Sequence, residues 1–197
     1  MPTGGEVPSS LEAVVLAAGA GARFGGAKLT SPWRGGRLID GAVAAALAAP
    51  VRTVAVVIGA DPAVAQALGR DPRLRLVHAV DHAQGMAASL RAGISALPAD
   101  AAGAFVFLGD MPLIPIVILR PLALALAQGA AAAAPLWAGH RGHPVLFSRT
   151  LFPDLLALAG DQGAKSVLDG LGGRLALVES PDEGVLFDVD FRTDSPR

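Results

Sequence analysis

Residues 14–28 read Val-Val-Leu-Ala-Ala-Gly-Ala-Gly-Ala-Arg-Phe-Gly-Gly-Ala-Lys: a short apolar strand that runs into a glycine-rich turn carrying one arginine and ending in one lysine. Glycines at 19, 21, 25 and 26 let the main chain take positive φ and come close to a ligand, so that N–H groups point at anionic oxygens. Arg23 and Lys28 add full positive charge, the first as a planar fork and the second as a compact point charge. A strand feeding such a turn is a device for holding phosphate, and it belongs to α/β architecture. The same composition also suits an ordinary strand-to-helix loop.

Two familiar phosphate loops do not match. The P-loop places Lys-Ser/Thr directly after its last glycine, whereas Gly26 is followed by Ala27 and Lys28 by Leu29. The dinucleotide fingerprint, started at Gly19 and Gly21, puts Phe24 where its third glycine belongs. No acidic residue follows a second strand at the expected distance, because Ala42 to Ala49 has the pattern of a helix.

Working outward, strand-like and helix-like segments alternate. Apolar runs predict strands at 13–17, 53–58, 74–79, 104–108, 131–136, 144–147 and 175–178. Helical spacing predicts helices over 38–49, 62–68, 116–128, 150–158 and 164–171, and another running from Met86 through Leu90 and Ile94 to Leu97. Asp61 and Pro62 form a helix start, Gly85 sits at the N-terminal end of the next helix, and Pro121 is expected to bend the fourth. The pattern predicts a three-layer α/β/α fold with a mostly parallel, Rossmann-like sheet. In such sheets ligands collect beyond the carboxyl ends of the strands, where the Gly19 turn, Gly85 and Asp110 all fall.

Composition narrows the partners. The 197 residues suit one domain, taken as 11–194 behind a flexible tail at 1–10. The 52% hydrophobic content is inflated by alanine and signals tight helix packing. A net charge of −1 gives no broad basic field for nucleic acid, so any anion must be met locally. The richest apolar stretch, 116–134, is broken by Arg120, Pro121 and Gln128, and no membrane span is indicated. The N-terminus lacks the basic region of a signal peptide, and the chain has no cysteine; both agree with a cytoplasmic protein.

The turn does not stand alone. Leu-Ala-Ala-Gly-x-Gly-x-Arg-x-Gly-x-x-Lys, Lys28-Leu29 with 32–35 Pro-Trp-Arg-Gly, 84–93 Gln-Gly-Met-Ala-Ala-Ser-Leu-Arg-Ala-Gly, 108–112 Leu-Gly-Asp-Met-Pro, 141–147 Arg-Gly-His-Pro-Val-Leu-Phe, 160–164 Gly-Asp-Gln-Gly-Ala and 187–190 Phe-Asp-Val-Asp follow one another in order. This set resembles the nucleotidyltransferases with the molybdenum-cofactor type of domain, and among them the molybdenum cofactor cytidylyltransferases. The resemblance spans residues 12–194.

It implies a three-layer sheet of the nucleotide-diphospho-sugar transferase type and transfer of CMP from CTP to the phosphate of molybdopterin carrying molybdenum. Pyrophosphate is the leaving group. Leu16, Ala17, Ala18 and Gly19 would hold base and ribose, with Gly21, Gly85 and Ser89 also at the nucleotide. Arg23 and Lys28 would take the triphosphate. A phosphate acceptor is already a nucleophile, so catalysis reduces to positioning and charge neutralisation around Mg²⁺. Asp110 and Asp190 are the expected metal ligands, Asp110 being the chief carboxylate and, with Arg23 and Lys28, catalytic. Asp188 shares a face with Asp190 by the period of two. An aspartate after a strand is also a common turn residue.

Arg141 and His143 lie in the acceptor-facing segment, and a molybdoenzyme or its chaperone would receive the product. Ala18, in place of a glycine, is similar to the cytidylyl branch. After Asp190 the chain reads Phe191-Arg192 where the family has Thr-Pro. GTP as donor, a sugar or alcohol phosphate as acceptor, and a non-catalytic cofactor-binding protein are the alternatives. The four histidines have no zinc-ligand spacing.

Overall fold

The structure, a computed structural model, describes residues 6–19, 21, 24–59 and 61–190. In chain order its elements are β1 (Leu11–Ala17), β2 (Pro32–Trp33), β3 (Gly36–Arg37), α1 (Leu38–Ala48), β4 (Val54–Ile58), α2 (Ala63–Ala67), β5 (Leu74–His78) and α3 (Met86–Ser95). There follow β6 (Gly103–Leu108), α4 (Leu119–Ala127), β7 (Ala132–Trp137), β8 (His140–Arg141), β9 (Val145–Ser148), α5 (Phe152–Leu156), α6 (Lys165–Asp169) and β10 (Leu175–Glu179).

The main sheet runs β10-β7-β9-β6-β1-β4-β5, with β8 paired to β7. β1 pairs in parallel with β4 and with β6, β4 with β5, and β10 with β7; β9 is antiparallel to both its neighbours. Central strands are apolar on both faces because helices cover both. Ala13, Val15, Val56, Phe105 and Phe107 pack with α1 and α4 on one side. Val14, Val57, Ala104 and Val106 pack with α3, α5 and α6 on the other. The edge strands β5 and β10 are only partly covered, with no residue fully buried in either.

Local chemistry explains the helix starts. The Asp61 carboxylate accepts the Ala63 N–H at 2.9 Å, satisfying an orphan donor of α2. Before α1, the Arg37 N–H donates to Asp40 Oδ2 at 2.7 Å. The expected helix over 116–128 divides: a 3₁₀ turn over Ile116–Ile118 precedes α4, and Pro121 falls in the first turn of α4. A missing N–H has no intrahelical acceptor to lose in that position, so proline costs α4 no hydrogen bond there. The expected helix over 150–158 likewise divides, into a 3₁₀ turn at Arg149–Leu151 and α5.

One buried acid sits at the far end of β1. Glu12, fully buried, accepts from Arg52 Nε at 2.7 Å and from the Thr53 N–H and hydroxyl at 2.9 and 2.7 Å. Arg52 also bonds Asp100 at 2.7 and 2.9 Å. Every carboxylate oxygen of Glu12 is thus partnered, which is the condition for burying a charge. No helix among the described residues is long and apolar enough to cross a membrane.

Candidate active site

Strand register brings three connections to one level. Ala17 pairs with Ile58 and Leu16 with Leu108, so Ala18-Gly19, Gly59 and Gly109-Asp110 leave the sheet side by side. The Gly109 N–H donates to the Leu16 carbonyl at 3.0 Å, locking the turn that carries Asp110 to the end of β1. Order reverses on either side of β1, and a cleft opens there.

That cleft has a volume of about 370 Å³ and is lined by Leu16, Ala18, Gly19, Gly21, Lys28, Gly85, Ser89 and Asp110 among others. Seven residues expected at a nucleotide and the expected metal ligand Asp110 therefore share one cavity. Ala17 does not line it; its side chain packs in the core on the α1 face. Arg23 lies outside the described residues, as do Phe191 and Arg192. Ser89 is buried in α3, and not on a helix surface.

The glycine turn differs from the expectation in one respect. The N–H groups of Phe24, Gly25 and Gly26 converge on the Gly21 carbonyl at 3.0–3.1 Å. These amides close the turn itself and do not point into the cleft, because a carbonyl held at the mouth of a tight loop is their nearest acceptor. Gly21 has φ +60 and lies so close to Lys28 that an added Cβ would fall 2.8 Å from the Lys28 Cβ. Only glycine allows this approach.

Lys28 crosses to two distant aspartates. Its Nζ lies 2.8 Å from Asp110 Oδ2 and 3.4 Å from Asp190 Oδ1, and its side chain is 11% exposed. Asp190 arrives because Val189, fully buried, anchors the 188–190 segment against the Asp110 turn. Asp188, on the other side of Val189, has its carboxyl pushed above the usual range, first by burial and then by the charges of Asp190 and Asp110. Lys28, at the edge of the cleft, therefore sits beside an acidic cluster of Asp110, Asp188 and Asp190. Among the described residues no three His, Asp or Glu side chains are arranged to hold a metal ion. Two carboxylates with hard oxygen donors suit an ion such as Mg²⁺, which takes its remaining ligands from phosphates and water.

Two residues at the cleft were not singled out from the sequence. Asp161 lines it because the Ala87 N–H donates to the Gly160 carbonyl at 3.2 Å, tying that loop to the start of α3. His82 lines it from the 3₁₀ turn before Gly85, with Nδ1 3.0 Å from the Ala79 carbonyl. A carbonyl only accepts, so Nδ1 carries the proton and Nε2 of the neutral ring is an acceptor. Both lie in irregular connections, Asp161 between α5 and α6 and His82 between β5 and α3, which carry no periodic signal.

A second cavity, about 440 Å³, shares Leu16, Met86 and Leu108 with the first. Leu90, Val106, Val145, Phe147 and Leu168 make it apolar, while Arg141, His143 and Lys165 supply polar groups. Arg141 Nη2 and Lys165 Nζ hold the two oxygens of Asp169 at 2.8 and 2.7 Å. His143 Nδ1 is buried with no hydrogen-bond partner. Burial pushes its ring below the ordinary imidazole range, against a smaller opposing effect of a bond to the Val106 backbone, so it is neutral at physiological pH.

A switch-point cleft with a glycine turn, a lysine and paired carboxylates defines a nucleotidyltransferase. The MobA-like NTP transferase domain matches residues 13–177, and the chain belongs to that family. The molybdenum cofactor cytidylyltransferase of Escherichia coli (strain K12) is 26% identical over 182 residues, 92% of each chain. The purine catabolism protein PucB of Bacillus subtilis (strain 168) is 31% identical over 186 residues, 90% of each. Rv0371c from Mycobacterium tuberculosis H37Rv has a similar structure, with a TM-score of 0.82 at 28% identity over 94% of this chain and 95% of that one. Its complex with manganese has a TM-score of 0.77 at 27% identity, again over 94% and 95%.

Proposed function

We propose that this nucleotidyltransferase moves CMP from CTP to the phosphate of molybdopterin carrying molybdenum. The observation that carries this reading is that Lys28 and Asp110 line a cleft that shares a wall with a second, largely apolar cavity, with Asp190 within reach of the same ammonium. The cytidylyltransferase relative and the manganese complex support it.

In this reading the main chain at Leu16, Ala18 and Gly19 holds the base and ribose. The acceptor's ring system lies in the second cavity beside Arg141 and His143. Arg141 contributes positive charge, and neutral His143 offers a nitrogen without adding charge. The His82 Nε2 acceptor favours a base that bears an exocyclic amino group, as cytosine does and uracil does not. Asp110 and Asp190 hold Mg²⁺, which when bound screens the triphosphate and orients it. An acceptor phosphate oxygen attacks the α-phosphorus; the new P–O bond forms as the bond to the β-phosphate oxygen breaks, and pyrophosphate departs. No proton needs to be removed from an anionic phosphate, so the reaction requires neither a serine or cysteine nucleophile nor a strong base. Lys28, and Arg23 by its place in the motif, neutralise the leaving group.

The test is transfer of label from each [α-³²P]nucleoside triphosphate, with Mg²⁺, to molybdopterin with and without molybdenum. CTP should label the cofactor, with one pyrophosphate released per transfer. Labelling from GTP in preference, or of sugar and alcohol phosphates alone, overturns the reading.

A further inference from the structure

The lining of the second cavity is one-sided in charge. Arg141 and Lys165 line it, and among the described residues no aspartate or glutamate does. Asp169, outside that lining, draws the two cationic heads together: Arg141 Nη2 donates to its Oδ1 at 2.8 Å and Lys165 Nζ to its Oδ2 at 2.7 Å. Each cation uses one N–H in this way, so the other donors of the guanidinium fork and of the ammonium can serve a ligand. Two cations and one carboxylate also leave a net positive charge, so an anion can bind with Asp169 still in place. Lys165 is 80% exposed and Arg141 26%, whereas Leu90, Val106, Val145 and Phe147 are buried, so the pair stands where an apolar cavity meets solvent.

The residues common to the two cavities, Leu16, Met86 and Leu108, are all apolar. A phosphate that attacks beside Lys28 and Asp110 is therefore divided by an uncharged stretch from Arg141 and Lys165, which line the second cavity alone. The two sets of cations cannot serve one and the same anionic group. We propose that the acceptor carries a second anionic group, apart from its attacking phosphate, and that Lys165 and Arg141 hold it. The group is an oxo-anion, because a planar fork beside a compact ammonium offers donors to several oxygens around one centre. In molybdopterin carrying molybdenum, the oxo-molybdenum centre belongs to this class. A simple alcohol phosphate has a single anionic group and leaves both cations unused, so the pair selects against it. This rests on transfer taking place in the Lys28 cleft, but not on which nucleotide is the donor.

The probe is inorganic molybdate, titrated calorimetrically into protein whose first cleft is filled by CTP without metal. Wild type should bind it, and Lys165→Gln and Arg141→Gln should each weaken binding about tenfold, the scale of a lost hydrogen bond to a charged group. Lys165→Arg should retain it. Arg75→Gln, on the opposite edge strand β5, controls for net charge and should match wild type. No binding by wild type, or equal binding by both Gln variants, overturns the proposal. In the transfer assay Lys165→Gln should raise KM for molybdopterin carrying molybdenum about tenfold and leave KM for CTP in place; an unchanged acceptor KM overturns it as well. If the labelling experiment instead assigned a different acceptor, the molybdate titration would still read the anion site, so the two readings fail separately.

Discussion

Val189 donates its backbone N–H to the Asp110 carbonyl at 3.1 Å. One main-chain bond thereby fixes the approach of the C-terminal segment to the turn after β6, and sets Asp190 where it shares a cation with Asp110. The bond does not depend on the Asp110 side chain, so that side chain can be altered with the scaffold left in place.

Asp110→Asn should lower pyrophosphate release by about 10²–10³-fold, the scale of losing one electrostatic stabiliser. Metal-free CTP binding, followed by calorimetry, should change little. Undiminished release would remove Asp110 from the chemistry.

Gly85→Ala should damage both stability and nucleotide binding. Gly85 has φ +104, and an added Cβ would run into Asp161 Oδ1 and the Gly160 carbonyl. A loss of about 1–3 kcal/mol in unfolding free energy is expected from the backbone conformation alone, together with a raised KM for the nucleotide. A variant with wild-type melting and KM would show that the loop at 160–163 does not depend on this close approach.

His82→Phe keeps a ring over Gly59 but removes the Nε2 acceptor. The ratio of kcat/KM for CTP over UTP should fall by about tenfold, the worth of one hydrogen bond to an otherwise unpaired group. Competition assays with the two nucleotides measure it directly; an unchanged ratio places base selection elsewhere.

Glu12→Ala should cost about 2–4 kcal/mol, somewhat below the usual loss for breaking a buried ion pair because Arg52 is partly exposed and retains Asp100. Denaturant unfolding provides the measurement. Glu12 lies at the amino end of β1, so KM and kcat of the folded fraction should stay at wild-type values.

His143 gives stability a pH dependence of known sign. Its ring is held below the ordinary value of 6.5 in the folded chain, so the unfolded chain binds the proton first. Stability is full above about 6.5 and falls as pH drops from there toward the folded value. Asp71, Asp100 and Asp169, whose carboxyls are lowered from 3.8, lose their contributions only in a more acidic window. His143→Phe should therefore flatten the unfolding free energy between about pH 6.5 and 5 and leave the steeper acid limb. A slope that survives the substitution would assign it to another group.

The chain's local chemistry determined its secondary structure and the class of its site. Apolar runs long enough for strands, helical spacing, and Asp61 next to Pro62 act over a few residues, so they are readable without neighbours. The strand-turn-lysine stretch and Leu-Gly-Asp-Met-Pro were equally local, because ligand-binding turns in such a sheet follow directly from strand ends. Tertiary structure decided the rest. β9 is antiparallel because of what it pairs with, and an apolar run reads the same in either direction. Pro121 is harmless because its helix begins later than spacing suggested. Gly25 and Gly26 have their amides turned inward by the Gly21 carbonyl, a contact that composition does not announce. Lys28 joins aspartates 82 and 162 residues away. Charge balance in a partly enclosed site depends on which groups the sheet register brings within a few ångströms, and sequence spacing carries no record of that distance.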